Sequence, residues 1–149
     1  MNFLREAEPG QVIITFTGSE RTELVQEEFH SALIELQASN HDIYLLQGVP
    51  HFPQFNPLAC NRDSATTDEC FVNMSIVEAN AQLEEMDELF EAAEKAGLAE
   101  LIETRSVICP DGTCRTLIEE IAVYRDSSHL SVSSAKLMSP HLADQLPRG

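Results

Sequence analysis

The sequence predicts an α/β fold: a three-layer α/β/α sandwich around a mainly parallel sheet. Three observations carry this expectation. Short, continuous apolar runs rich in β-formers alternate along the chain with amphipathic stretches of helical period. The first three elements follow the order strand, helix, strand, which favours a right-handed crossover and parallel pairing. The 149 residues suit one domain, and a hydrophobic fraction of 43% can supply its core.

Gln11-Val-Ile-Ile-Thr-Phe16 is the first strand candidate, with its apolar centre from Val12 to Phe16, and Gly18 closes it. From Glu20 to Ala38, Val25, Phe29, Ala32, Leu33 and Leu36 recur at helical spacing, with charges between them. Asp42-Ile-Tyr-Leu-Leu-Gln47 is a second buried strand, stopped by Gly48-Val-Pro50. Residues 50–72 contain Pro50, Pro53 and Pro57 and little periodicity, so they form a long loop at the carboxyl end of a strand, where open α/β sheets place ligands.

Ser75-Ile-Val-Glu78 is a capping box. The helix it starts presents Ile76, Leu83, Met86, Phe90 and Ala93 on one face, and Gly97 supplies the stop. Its acidic residues, Glu84, Glu85, Asp87, Glu88 and Glu91, read as a solvated face. Leu101–Ile108 is a third strand candidate and Glu119–Tyr124 a short fourth. Ser131 or Ser133 caps a last helix whose apolar positions include Ala135, Met138 and Leu142; Pro140 is expected to interrupt it, with Ser139 recapping a final turn.

The net charge of −16, from 25 acidic and 9 basic residues, excludes the basic footprint that nucleic acid requires. It also disfavours an anionic membrane surface. No apolar run reaches the length of a transmembrane helix, and Met1-Asn-Phe-Leu-Arg-Glu6 lacks the regions of a signal peptide. The cysteines point elsewhere. Cys109 and Cys114 flank Pro-Asp-Gly-Thr, a turn-prone insert that can bring them within disulfide range. Cys60 and Cys70 flank a polar loop. Four cysteines allow three pairings; we favour Cys109–Cys114 and Cys60–Cys70. Disulfides imply an oxidising compartment. The spacings do not match a compact zinc site, so neither a metal nor another cofactor is expected.

The chemistry concentrates in Asp126-Ser-Ser-His129-Leu-Ser131, between a strand-like run and a helix-like run. An Asp three residues before a His can turn its carboxylate onto the imidazole Nδ1–H, fixing the tautomer and leaving Nε2 to take a proton from a serine. By itself such a turn is also what Asp and Ser make on a surface. Of the five histidines, only His129 has an acidic partner at a productive spacing. His30 and His41 read as surface residues, and so does His51 at the start of the Pro-rich loop. His141 reads as exposed or packed on the last helix.

Taken with Cys109…Cys114, Gly48-Val-Pro50 and Pro57-Leu-Ala-Cys60, this block resembles the C-terminal part of an SGNH (GDSL-like) domain. The nearest variant is the extracytoplasmic domain fused to membrane acyltransferases that O-acylate cell-surface polysaccharides. The resemblance covers about residues 3–146 and is most specific at Asp126, His129, Leu130 and Ser131. It implies a flavodoxin-like sheet and a Ser-His-Asp triad whose serine lies in a Gly-Asp-Ser motif on an N-terminal strand. No Gly-Asp-Ser occurs in this sequence. On that alignment Gln11–Phe16 matches the family's second strand, the nucleophile strand lies upstream of Met1, and the chain is a partial domain spanning 1–149.

The resemblance further implies an acyl donor, a carbohydrate acceptor and an upstream membrane acyltransferase portion as partners, and a periplasmic or cell-surface location. It places Gly18 in the oxyanion hole, with Asn56 as a substitute for the family's Asn. A missing neighbour beside Val12–Phe16 leaves an apolar edge, hence the expectation of homodimers. Two other readings stand beside this one. Ser19, after a strand and before a helix, has the local setting of a nucleophile, which would make the chain a self-contained carbohydrate esterase; it is also a good N-cap. Alternatively the dyad is vestigial and the chain a non-catalytic binding module.

Overall fold

The computed structural model describes residues 7–15, 23–60 and 70–147. In chain order the strands are β1 (Gln11–Ile14), β2 (Asp42–Leu46), β3 (Asn73–Ser75), β4 (Glu100–Ile102), β5 (Thr113–Arg115), β6 (Leu117–Ile118) and β7 (Ile121–Ala122). The helices are α1 (Glu23–Ala38), α2 (Ile76–Lys95), α3 (Arg105–Ile108) and α4 (Val132–Gln145), with short 3₁₀ turns at Pro57–Ala59 and Pro110–Gly112. The fold is α/β with a parallel sheet, as the alternation of strand and helix patterns predicts. The chain divides into two compact units: residues 1–48 with 84–103, and residues 49–83 with 104–149.

In the first unit β1, β2 and β4 form a three-stranded parallel sheet in that order. The register sets Val12 beside Ile43, Ile14 beside Leu45 and Leu45 beside Leu101. Alternation puts these side chains on one face. Leu33 and Leu36 from α1, and Met86, Phe90 and Ala93 from α2, close over that face. Phe29 stacks on Phe90 with ring centroids 5.9 Å apart. Each fully buried Leu, Ile or Phe here contributes about 1.5–3 kcal/mol, which is why helical spacing on α1 and α2 predicts the contacts so well. Gly97, at φ +70°, ends α2: its N–H and that of Leu98 return to the carbonyls of Glu94 and Ala93. β1 pairs with β2 alone among the described residues, and Ile13 is 52% exposed.

His41 departs from the surface position that its place at a helix exit predicts. It is buried, not on the surface: its Nδ1 lies 3.2 Å from the Gly10 nitrogen and ties the entry of β2 to the entry of β1.

In the second unit the core is Phe52, Phe55, Ala79, Ile108, Val123, Tyr124 and Met138, together with Cys109 and Cys114. The capping box is made in full: Glu78 accepts from the Ser75 N–H and hydroxyl, and Ser75 Oγ accepts from the Glu78 N–H. β3 pairs antiparallel with β5, and β6 with β7. Cys60–Cys70 and Cys109–Cys114 are both disulfides, so all four cysteines are paired as favoured from the sequence. The Pro110–Gly112 turn that closes the second one places Asp111 and Gly112 at positive φ. No helix among the described residues is long and apolar enough to cross a membrane.

Three elements differ from the sequence pattern. Leu101–Ile108 is not one strand: β4 stops at Ile102, and α3 follows. Arg105 is buried and donates from Nη1 to Asn80 Oδ1 at 2.9 Å, a polar anchor that a continuous sheet strand would not supply. Glu119–Tyr124 does not join the parallel sheet; Glu119 turns at φ 55° between β6 and β7, making a local hairpin. Pro140 does not interrupt α4, which continues through it to Gln145. Pro140 removes one N–H donor, but the inward residues on both sides keep their helical spacing.

Candidate active site

The site is a small hairpin following β7. Ser131 N donates to Val123 O at 2.9 Å and Arg125 N to His129 O at 2.8 Å. Tyr124 and Leu130 face each other between these bonds as an antiparallel bridge. Tyr124 is buried, and burial raises its phenol above the ordinary value. Cross-strand partners leave the same side of such a ribbon. Tyr124 and Leu130 therefore turn toward the core of this unit, while Arg125 and His129 are exposed together.

Asp126 shapes the loop between the arms. Its Oδ1 accepts from the Ser128 N–H at 3.0 Å and the His129 N–H at 2.8 Å, an Asx turn of the kind Asp favours. The same carboxylate meets His129 Nδ1 at 2.8 Å through Oδ1 and 3.0 Å through Oδ2. The Ser128 N–H foremost, then the His129 ring, hold this carboxyl well below the usual carboxylate range; partial burial opposes them weakly. One side chain thus fixes both the backbone that carries His129 and the tautomer that exposes its Nε2 as an acceptor. The His129 side chain is 65% exposed and that of Asp126 40% exposed.

Neighbours hold the loop in place. Ser131 caps α4 by accepting from the Ser134 N–H at 3.0 Å, and its hydroxyl donates to the Ala122 carbonyl. From the Pro-rich loop, the Phe52 N–H donates to the Ser127 carbonyl at 2.7 Å. The Phe52 ring lies edge-to-face on Tyr124 at 4.9 Å. His51, exposed as the sequence suggests, anchors that loop to α2, donating its N–H to Gln82 Oε1 and accepting from Gln82 Nε2 at its carbonyl.

The other sequence candidates fall elsewhere. Gly18 and Ser19 lie outside the described residues. Asn56 Oδ1 accepts from the Leu58 N–H at 3.1 Å and caps the Pro57–Ala59 turn. Among the described residues no cluster of His, Cys, Asp or Glu could hold a metal ion.

Several contributors carry little signal in the sequence. Ser128 sits 3.3 Å from His129 Nδ1, and its place inside the Asp126–His129 turn was the only available signal. Arg125 contacts Asp126 Oδ2 at 3.4 Å. Phe52 supports the dyad from a loop without periodicity, so its burial had no pattern to announce it.

Residues 4–144 match the family model of the SGNH domain (fused to AT3 domains), and the chain belongs to that family. The match runs across both units. No curated protein and no solved structure matches it.

Proposed function

We propose that this chain is the part of an SGNH-type O-acyltransferase or esterase domain that carries the acid–base half of a Ser-His-Asp triad. Its substrates are acyl esters of cell-surface carbohydrate. The observation that carries the reading is the 2.8 Å contact between Asp126 Oδ1 and the Nδ1 of an exposed His129. The serine Oγ attacks the acyl carbonyl while His129 Nε2 takes its proton. The imidazolium formed is stabilised by Asp126 and returns the proton to the departing alcohol, leaving an acyl-serine. A sugar hydroxyl or water, deprotonated by the same nitrogen, then releases the acyl group. Fusion to AT3 domains in the family supports transfer to a sugar rather than hydrolysis.

Because the sequence contains no Gly-Asp-Ser, we assign the serine to a segment outside it. By the family resemblance, Gly18 and Asn56 are the oxyanion-hole residues in this reading. The two disulfides and the AT3 fusion support an extracytoplasmic domain attached to a membrane acyltransferase portion. The edge of β1 that has no partner among the described residues, with Ile13 half exposed, supports pairing with a further strand or a second copy.

The test is acyl transfer by the whole fusion protein. His129→Ala should lower turnover by roughly 10⁶-fold, and Asp126→Asn by roughly 10⁴-fold. Full activity in His129→Ala ends the proposal. The chain by itself should not turn over ester reporters; turnover abolished by Ser19→Ala would move the nucleophile to Ser19.

A further inference from the structure

Nine Lys and Arg residues stand against 25 acidic ones, so the position of each cation is informative. Among the described residues, Lys95 pairs with Glu91 at 3.0 Å. Arg105 is buried on Asn80, and Arg115 donates to the Pro110 and Thr113 carbonyls. Lys136 lies on the exposed side of α4. Arg125 is different. Its backbone is fixed, N–H to the His129 carbonyl, yet its side chain is 70% exposed. Nε and one Nη each lie 3.4 Å from Asp126 Oδ2, beyond the roughly 2.7–2.9 Å of a firm charge-assisted bond. That oxygen also faces His129 Nδ1. Among the described residues nothing else engages the guanidinium, so most of its five N–H donors remain available.

Position gives this cation a role. Arg125 and His129 are paired across the hairpin and leave it on the same side. Two residues beyond His129, Ser131 caps α4, a 14-residue helix with no acidic residue in its first turn. A loosely held guanidinium fork thus shares the imidazole's side of the hairpin on an otherwise acidic chain.

We propose that Arg125 is a specificity-determining residue that binds an oxyanion, carboxylate or phosphate, carried by the substrate close to the ester that His129 serves. The substrate class is therefore an anionic saccharide rather than a neutral one. Remote acidic side chains oppose this at low salt. At about 0.15 M salt the screening length is about 8 Å, which mutes them and leaves the contact pair. The inference takes its meaning from the dyad reading, but its test needs neither the serine nor turnover.

The experiment is an NMR titration of the chain at about 0.15 M salt and about pH 8, where an ordinary imidazole is neutral. The probes are glucuronate, glucose 1-phosphate and glucose. We expect saturable shifts of the Arg125 Nε–H and the His129 ring with at least one oxyanion and none with glucose; which oxyanion binds distinguishes a sugar carboxylate from a sugar phosphate. Arg125→Gln should weaken binding at least tenfold, and Arg125→Lys should lose carboxylate more than phosphate, because only the planar fork matches a carboxylate. If neither oxyanion moves Arg125 more than glucose does, or Arg125→Gln binds as well as the parent, the proposal is overturned. Loss of activity in the transfer assay would leave this result standing, so the two can fail separately.

Discussion

Truncating Phe52 to Ala should loosen the dyad loop from below. Phe52 is fully buried, stacks edge-to-face on Tyr124 at 4.9 Å, and lies where its own N–H holds the Ser127 carbonyl. Removing most of a buried Phe side chain forfeits about 3 kcal/mol of burial. The aromatic pair adds about 0.5–1.5 kcal/mol. With the residual cavity, the cost falls at about 3–5 kcal/mol, a large part of a small domain's stability. Phe52→Leu keeps much of the volume and should cost only about 1–1.5 kcal/mol. In urea unfolding with a slope near 2 kcal/mol/M, the Ala variant should shift the midpoint by about 2 M and the Leu variant by well under 1 M. Amide exchange at Ser128 and His129 should accelerate in the Ala variant more than at β1. A midpoint shift below about 0.5 M for Phe52→Ala would refute the claim that this ring supports the loop.

Three further outcomes follow from the same geometry. The Asp126 carboxyl is depressed in the folded state, so its contribution to stability is present above the unfolded value, about 3.9, and is lost as pH falls through the folded one; its carboxyl-carbon NMR signal should still report the ionised form near pH 3, and an ordinary titration curve would contradict the hydrogen-bond pattern. Replacing Cys60 and Cys70 by Ser opens a loop of sequence separation 10 and should cost about 2–3 kcal/mol in chemical unfolding, read as a lowered midpoint. Gly97→Ala, at φ +70° with open space around the added methyl, should cost about 1 kcal/mol from backbone conformation alone; a neutral or stabilising change would show that the α2 stop is not left-handed.

The parts of the fold legible in the sequence are those governed by periodicity and by local capping. α1 and α2 bury the residues their spacing selects, and the Ser75–Glu78 box and Gly97 delimit α2 as composition suggests. Where tertiary demands compete, the pattern misleads. The Leu101–Ile108 run is apolar enough for a strand, yet the buried Arg105 needs Asn80 and bends the chain into α3. Glu119 carries no turn signature, and its positive φ is set by closure of the β6–β7 hairpin. His41 looks like a surface residue at a helix exit because its partner, Gly10, is 31 residues away. In the site, the Asp126–His129 pairing is local and readable from three-residue spacing. The support from Phe52 depends on contacts that no short window contains, whereas Arg125 sits close to His129 in sequence and only the hairpin, which periodicity does not reveal, sets them side by side.

In the proposed mechanism Asp126 holds His129 with Nδ1 protonated and Nε2 open as the base. Long-range ¹⁵N–¹H correlation of the His129 ring tests it most directly, at about pH 8.5, where an ordinary imidazole is neutral. We expect the Nδ1–H tautomer, with Nε2 carrying the shift of an unprotonated nitrogen, and loss of that preference in Asp126→Ala. An Nε2–H tautomer in the parent chain, or no change in the Ala variant, would contradict it.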